Sequence, residues 1–435
     1  MDNMSENEIR DYIFSSYGDD FLGLVEGVRP PISWQQNGFP TLSFFMRRSA
    51  EKKINRLIDA LGSLSITAKE LRLKKVADST TRIDLFGNSE GDGLTIIELK
   101  KSNQTERQAF TELLGYANHF CSLFPGVSES CMTSVLVAPM ENRVVRDAYT
   151  QELLINNKNI VAFVPNFEGD KLSLNAWYPK DTYYSWFEEN IFRDESMLVV
   201  AISFPVIEGW FDTDLVSEDD AIPEYTKSAL NTISSLIAGR LETEKLHSFV
   251  YARQMWGSVS QGFPYPNTIF VVCVNPFSSL RTSEADGEIV GASDSERLEA
   301  IQGLYDQFQD GGEENWIDSL EGAFRGMLIR NVKDEFEKCF IESGGKANIS
   351  YDISSPLWSG IKANAIESVY VHNLDVYATG LIRDIYSEYM QYVLREKYDP
   401  IYYSDDLPKF FYQSQREWFP LWMILNGIGL DGDDE

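Results

Sequence analysis

The sequence predicts an α/β protein with two folded domains, the second of them an acidic α/β or α+β domain. Its 435 residues exceed what one hydrophobic core usually organises. Hydrophobic residues make up 43% of the chain and charged residues 24%, a balance typical of globular proteins. Helical and strand-like patterns also alternate along the first half. We therefore divide the chain into an N-terminal arm (residues 1–45), a first domain (46–185) and a second domain (190–435).

The first domain begins with a helix and continues into strands. Apolar residues recur at helical spacing from Ala50, and Gly62 stands where a C-terminal cap is expected. Residues 64–76 are strand-like, and two shorter runs, 81–86 and 94–99, also have β character. The turn-rich residues between these two runs, from Gly87 to Gly93, predict that the runs pair as a hairpin.

Helical and strand patterns continue to alternate behind the hairpin. The predicted elements are a helix over residues 106–124, a strand over 133–138, a helix over 143–155 and a strand over 160–164. The predicted order in the first domain is therefore α, β, β, β, α, β, α, β.

The second domain is separated from the first by a change in polarity after Trp177. Acidic loops at residues 208–224 and 283–318 divide its ordered elements. The predicted elements are buried strands over 197–206 and 268–274, a helix over 225–253, a helix from the capping-box pair Ser293 and Glu296 to Gly311-Gly312, and helices over 324–341 and 374–397. The first three indicate a βαβ-like unit. Regulation, targeting and oligomerisation all remain open as the role of this domain.

Composition also excludes several kinds of site. Four cysteines without a CxxC pair and three histidines support neither a disulfide framework nor a structural zinc site. The longest apolar runs, such as residues 197–207, are shorter than the roughly 18 residues of a membrane span. We therefore expect a cytoplasmic protein without a membrane partner.

The charge is unevenly distributed along the chain. A net charge of −29 opposes binding to the phosphate backbone of a nucleic acid. Between Phe45 and Ala117, however, 13 Lys and Arg stand against 10 Asp and Glu, a balance of +3. The acidity therefore belongs to the other parts of the chain.

Three residues of the predicted hairpin form the most distinctive chemical pattern. Glu98 and Lys100 are two apart on one strand and share a face, and the hairpin can bring Asp84 next to Glu98. Two carboxylates about 4 Å apart repel by roughly 4 kcal/mol at an effective dielectric of about 20. This cost favours a bound divalent cation, a shared proton or neutralisation by Lys100. Oxygen ligands of this kind suit Mg²⁺ or Mn²⁺.

The spacing of these residues resembles a known nuclease signature. Ile83-Asp84, thirteen further residues and Glu98-Leu99-Lys100 resemble the PD-(D/E)xK motif of restriction-endonuclease-like nucleases, with Ile83 in place of the proline. The resemblance covers residues 46–165. It implies an αβββαβ catalytic domain with a mixed central sheet flanked by helices. It also implies that Asp84, Glu98 and the Leu99 carbonyl bind metal and that Lys100 is the catalytic lysine.

Accessory positions in the same superfamily suggest further site residues. Glu51 lies on the inward face of the first helix, where many members place a metal-binding glutamate, although an acid also suits a first helical turn. Gln108, Glu112 and Tyr116 recur every four residues and resemble the Q-xxx-Y element of RecB-like branches. The residue four before the tyrosine is here a glutamate. Whether Gln108 or Glu112 faces the metal stays open, as does the alternative of a solvated helical face.

Two other groups of residues are candidates for binding. The residues expected to line a nucleic-acid groove beside the site are Arg72, Lys74, Lys75, Lys101 and Tyr116, although surface lysines are often only solvated. The aromatic-rich residues 398–422 suit either core packing or a surface for a protein partner or self-association.

The sequence thus leads to one principal function and one alternative. We expect a Mg²⁺- or Mn²⁺-dependent endonuclease that hydrolyses nucleic-acid phosphodiester bonds, with DNA favoured over RNA, in bacterial or phage defence or in repair. The alternative is a catalytically silent scaffold of the same fold, which binds proteins or mimics nucleic acid.

Overall fold

The computed structural model has an α/β architecture, which confirms the predicted class. It contains a mixed seven-stranded sheet, an antiparallel five-stranded sheet and helices. The residues it describes are 4–35, 40–73, 82–90, 93–168, 171–192, 194–205, 224–254, 263–278, 316–340, 349–361 and 375–392, with residues 299, 303 and 306. The chain divides into two compact units, Met1–Ser33 with Arg47–Lys180 and Trp34–Met46 with Asp181–Glu435.

The seven-stranded sheet belongs to the first unit. Its elements are helices α1 (Glu6–Tyr17), α2 (Leu42–Ala60, of which residues 42–46 belong to the second unit), α3 (Asn103–Leu123) and α4 (Arg143–Thr150), and strands β1 (Val25–Glu26), β2 (Leu64–Arg72), β3 (Arg82–Ser89), β4 (Gly93–Leu99), β5 (Met132–Val137), β6 (Ile160–Glu168) and β7 (Lys171–Ala176). The strand order is β1-β7-β6-β5-β4-β3-β2. Strands β4, β5 and β6 run parallel, whereas β2, β3 and β4 form an antiparallel meander. Between α2 and β6 the order of helices and strands is the predicted one.

Two elements of this unit extend beyond their predicted bounds. Helix α2 starts at Leu42 rather than Ala50, and the apolar side chains of Leu42, Phe45 and Met46 are buried in the added turns. Strand β6 continues to Glu168 and pairs with β7, a strand that the sequence analysis did not predict.

The hairpin of β3 and β4 is confirmed, but its strands are longer than predicted. They pair antiparallel from Leu85↔Ile97 to Ser89↔Gly93, so Gly87 lies inside β3 rather than in the turn. A Cβ atom on Gly87 would lie 2.4 Å from the carbonyl oxygen of Ser65 in β2. The glycine is therefore explained by the close approach of the neighbouring strand.

The pairing of β2 with β3 contains one irregularity. Ile66 pairs with Gly87 and Ala68 with Phe86, so the register shifts by one residue between Ile66 and Ala68. One extra residue of β2 at this point, Thr67, changes which side chains lie opposite one another farther along the two strands.

The second unit contains the antiparallel sheet. Its elements are helices α5 (Asp181–Ile191), α6 (Glu224–Thr243), α7 (Trp316–Lys338) and α8 (Gly380–Tyr392), and strands β8 (Met197–Phe204), β9 (Ser248–Gln254), β10 (Asn267–Val274), β11 (Asp352–Ser354) and β12 (Val376–Ala378). The strand order is β11-β8-β10-β9-β12. Because β8 and β9 both run antiparallel to β10, they are parallel to each other, and α6 connects them across the intervening strand.

Two predicted helices of this unit are partly wrong. Residues 248–253, predicted as the end of one helix, are part of β9, where Phe249, Val250 and Tyr251 are buried and pair with β10. Residues 376–378 form β12 before α8 begins. Aromatic and β-branched side chains favour strands, and strand pairing here overrides the helical pattern of the flanking sequence.

Some predicted features fall on residues for which no structure is given. The capping-box pair Ser293 and Glu296, the aromatic residues 398–422 and most of both acidic loops lie outside the described residues. Within the part of the chain that the structure describes, no helix is long and apolar enough to cross a membrane.

Replacing Gly87 tests the close approach of β2 and β3. We expect Gly87→Ala to lower the free energy of unfolding by about 2 kcal/mol, because its Cβ would overlap the Ser65 carbonyl. The matched control is Gly115→Ala in α3, where no atom lies within 4 Å of the added Cβ. That change should stabilise the helix by up to about 1 kcal/mol. Urea unfolding followed by circular dichroism measures both, and equal stability of the two variants would contradict the packing explanation.

Candidate functional site

Strand register brings Asp84 and Glu98 to neighbouring positions. The pairing that ends at Leu85↔Ile97 places Asp84 opposite Glu98 on the adjacent strand. The backbone N–H of Leu99 donates a 2.9 Å hydrogen bond to Oδ2 of Asp84. Because β4 is an internal strand of the sheet, Glu98 is only 2% exposed. The two residues predicted to form the core of the site are thus neighbours on adjacent strands, with Glu98 buried and Asp84 half-buried.

Lys100 pairs with two glutamates. Its ammonium contacts Oε1 of Glu98 and lies 2.6 Å from Oε2 of Glu112 in α3. Its backbone N–H donates to the carbonyl of Val137, 2.8 Å away, so β5 fixes the chain just beyond the end of β4. Lys100 therefore connects the hairpin to the helix that follows it.

Burial raises the pKa values of Asp84 and Glu98 but does not dominate that of Glu112. It raises the pKa of Glu98 to about 9, with further contributions from the charge of Asp84 and the hydrogen bond with Glu112. Burial also raises the pKa of Asp84, although the Leu99 N–H, Lys100 and Arg10 each act to lower it. The pKa of Glu112 is lowered, because its hydrogen bonds with Glu98 and Lys100 outweigh its burial. At neutral pH and without a metal ion, Glu98 holds a proton and Glu112 is the counter-ion of Lys100.

One oxygen of Glu98 lacks a donor. Oε2 is buried and accepts no hydrogen bond from the residues that the structure describes. An ionised carboxylate oxygen in such a place is costly unless a proton or a cation occupies it.

Whether a divalent cation suits the site depends on Oε2 of Glu98. Among the described residues there is no group of three or more His, Cys, Asp or Glu that could hold a metal ion. Mg²⁺, however, is commonly bound by one or two carboxylates, with waters and substrate phosphates as its other ligands. Asp84 and Glu98 suit such a cation, because they are acids on adjacent strands, Asp84 is partly open to solvent and Oε2 of Glu98 lacks a donor.

The structure places the predicted accessory residue Glu51 in a different ion-pair network. Its buried carboxylate lies 2.9 Å from Nε of Arg47 and 3.2 Å from Nη2 of Arg29. It also accepts a 2.9 Å hydrogen bond from the backbone N–H of Ile32. Two arginines and a backbone donor thus satisfy Glu51. The contacts of the described residues do not connect it to Asp84 or Glu98.

Two of the three predicted polar residues of helix α3 lie at the hairpin of β3 and β4. Gln108 is exposed, whereas Glu112 contacts Lys100. Tyr116 is buried, and its hydroxyl donates a 2.6 Å hydrogen bond to the carbonyl of Arg82. Burial, and then the charges of Glu98 and Glu112, raise the pKa of Tyr116. The structure therefore brings Glu112 and Tyr116, but not Gln108, to the hairpin.

The predicted basic groove residues are only partly described. Lys101 is exposed, and its backbone N–H donates to Oε1 of Glu6, 2.9 Å away. Arg72 is exposed at the end of β2, opposite Arg82. Lys74 and Lys75 lie outside the described residues.

Sequence reasoning missed two charged residues beside Asp84. Arg10 of α1 is buried, with Nη1 3.2 Å from Oε1 of Glu70 and 4.0 Å from Oδ1 of Asp84. Within the predicted N-terminal arm, residues 1–45, helix α1 contacts β2 and β3. The sequence signal for a buried Arg10 is its position between Ile9 and Ile13, which are both buried on the same helix.

The raised pKa of Glu98 predicts a pH-dependent stability in the absence of metal. An acid whose pKa is about 9 when folded and 4.5 when unfolded binds more protons in the folded state, so stability falls as pH rises between these values. Glu98→Gln removes this titration. We expect the melting temperature of the variant, measured in EDTA, to rise relative to wild type between about pH 6 and about pH 9.

The control for this experiment is Glu168→Gln, which changes an exposed glutamate at the end of β6. It should follow the wild-type pH dependence. A constant difference between Glu98→Gln and wild type across the pH range would show that Glu98 does not titrate as its burial requires.

Comparisons of the chain with protein-family models, with curated proteins and with solved structures find no match. Asp84, Glu98 and Lys100 are therefore interpreted from their own contacts and chemistry. These residues combine a buried acid, a half-buried acid, a lysine and a carboxylate oxygen without a donor.

Proposed function

We propose that the chain is a Mg²⁺- or Mn²⁺-dependent nuclease that hydrolyses phosphodiester bonds of nucleic acid, with DNA as the favoured substrate. The observation that carries the proposal is the buried Oε2 of Glu98, which has no hydrogen-bond donor among the described residues and lies beside Asp84 and Lys100. Two acids on adjacent strands, with a lysine in contact with one of them, are the parts that metal-assisted phosphodiester hydrolysis needs.

The arrangement of secondary structure supports a restriction-endonuclease-like domain of the PD-(D/E)xK type. Helix α2 is followed by β2, β3 and β4, and then by α3 and β5, which is the αβββαβ order of that fold. The sheet is mixed, with an antiparallel meander that leads into parallel strands. Asp84 and Glu98 lie on adjacent strands of that meander, as the motif requires.

Each residue has a distinct task in this proposal. Asp84 and Glu98 would hold the cation, which supplies a Lewis acid for the phosphate and a more acidic water. Glu98 would have to be ionised to hold the cation, since a proton and a metal ion compete for the same oxygens. Lys100, held by Glu112, then carries positive charge next to the reacting phosphate and stabilises the charge that develops on it.

Lys100→Ala tests the catalytic assignment. We expect cleavage of labelled DNA in Mn²⁺ to fall on the order of 100-fold or more, which is typical for loss of a charge-stabilising group. The control is Lys171→Ala, which changes a 67%-exposed lysine of β7. Wild-type cleavage by Lys100→Ala, with an unchanged circular dichroism spectrum, would refute the role of Lys100.

A scaffold without turnover is the second candidate. Two observations favour it: Lys100 is already paired with Glu98 and Glu112, and the described residues include no metal-binding group of three acids, cysteines or histidines. Such a protein would keep the fold and bind a partner instead of cleaving nucleic acid.

Metal binding separates the two candidates. Calorimetric titration with Mn²⁺ should give one site per chain in the nuclease, and Asp84→Asn should weaken it at least about 10-fold, because one of two carboxylate ligands is lost. Glu168→Gln should bind Mn²⁺ as wild type does. Absence of Mn²⁺ binding by the wild-type protein would favour the scaffold.

A further inference from the structure

Helix α1 places the guanidinium of Arg10 beside the candidate site. The apolar side chains of Ile9 and Ile13 are buried, and Ser5 and Glu8 form a capping box at the start of the helix. Arg10 follows Ile9 and is itself only 7% exposed. The position of its guanidinium is therefore fixed by a well-packed and capped helix.

Three acids occupy neighbouring positions across β2, β3 and β4. Lys69 pairs with Leu85 and Leu71 with Ile83, so Glu70 lies opposite Asp84, which in turn lies opposite Glu98. Adjacent like charges on one face of a sheet repel each other. Arg10 contacts the first two acids of this row, and Lys100 contacts the third.

Glu70 is held in an unusual conformation. Its φ angle is +50°, in the left-handed region that non-glycine residues seldom adopt. Its carboxylate lies 3.2 Å from Nη1 of Arg10 and 3.3 Å from Nη1 of Arg82. Two arginines thus converge on one acid beside Asp84, and local strain of this kind is often found at ligand sites.

The guanidinium of Arg10 is under-satisfied. It has five N–H donors, and within the described residues it makes one hydrogen bond, from Nη1 to Glu70. Its Nε is buried without a hydrogen-bond acceptor, and Oδ1 of Asp11 lies 3.6 Å from it. An unmet buried donor costs about 1–3 kcal/mol. A bound oxyanion would remove that cost.

The local charge balance indicates when such an anion can bind. Arg10, Arg82 and Lys69 are offset by Asp11, Glu70 and Asp84, so the cluster of these six side chains has no net charge. A divalent cation on Asp84 would make the cluster positive. Anion binding at Arg10 should therefore be strengthened by the metal ion.

We propose that Arg10 binds a phosphate oxygen of the nucleic-acid backbone next to Asp84, and that it does so most strongly when a divalent cation is bound. The inference rests on the proposed nuclease function and adds a residue from α1 to the substrate site. A planar guanidinium with several free N–H groups suits a phosphate, which accepts parallel hydrogen bonds.

The test measures binding rather than cleavage. The probe is a fluorescein-labelled oligothymidylate, titrated by anisotropy in Ca²⁺ and, in parallel, in EDTA. We expect Ca²⁺ to tighten wild-type binding and Arg10→Gln to weaken it about 10-fold in Ca²⁺. Arg10→Gln should also reduce the slope of log K against log salt by about 0.7, the value for one phosphate contact to a single strand. A purely structural role would leave that slope unchanged.

Two further variants control the experiment. Arg56→Gln changes an exposed arginine of α2 and should bind as wild type does. Arg10→Lys keeps the charge and, with it, the pairing to Glu70, but it lacks the fork of donors, so its affinity should lie between those of wild type and Arg10→Gln. Wild-type affinity in Arg10→Lys would overturn the assignment of a guanidinium contact, even if Arg10→Gln fails to fold.

The outcomes also separate this inference from the nuclease proposal. Oligonucleotide binding that is unaffected by Arg10→Gln, or no binding by wild type, overturns the role of Arg10. Arg10-dependent binding without any cleavage in Mg²⁺ or Mn²⁺ supports the role of Arg10 and overturns the nuclease proposal.

Discussion

The carboxylic acid of Glu98 is buried on an internal strand of the seven-stranded sheet, and the charged groups around it offset the free-energy cost of that burial. Lys100, two residues along the chain, contacts one of its oxygens, and Glu112 of α3 balances the lysine. Asp84 is opposite and is itself held by the Leu99 N–H and approached by Arg10. A buried acid is tolerated only where charges and donors surround it, so α1, α3, β3 and β4 all contribute a charged group at one place.

The local parts of this arrangement could be predicted from the sequence. The hairpin of β3 and β4 follows from two runs of β character with a turn-rich segment between them, and a period of two places Glu98 and Lys100 on one face. The order of elements from α2 to β6 follows in the same way, because each segment expresses its own periodicity. The start of β9 inside a predicted helix could not be predicted from the local sequence, since this strand is stabilised by pairing with β10.

The parts of the site that depend on contacts distant in sequence could not be predicted. Gln108 and Glu112 lie on the same helix, one turn apart, and only the packing of α3 against β4 decides that Glu112 meets Lys100. Glu51 has the periodicity of an inward-facing residue, which is correct, yet the loop that contains Arg29 and Ile32 supplies its partners. Arg10 and Glu70 are separated by 60 positions and have no shared motif.

The register shift in β2 determines which charge lies beside Asp84. Before the shift, positions pair so that continuing the same register would place Lys69 opposite Asp84, whereas the observed register places Glu70 there. If Thr67 paired regularly, without the bulge, a base would therefore replace an acid next to a candidate metal ligand, although no residue of the motif itself would change. Loss of Thr67, by contrast, would make Ile66 and Ala68 neighbours with their observed partners and would leave Glu70 opposite Asp84. The position of one unpaired residue in a neighbouring strand thus sets the sign of the charge beside the motif.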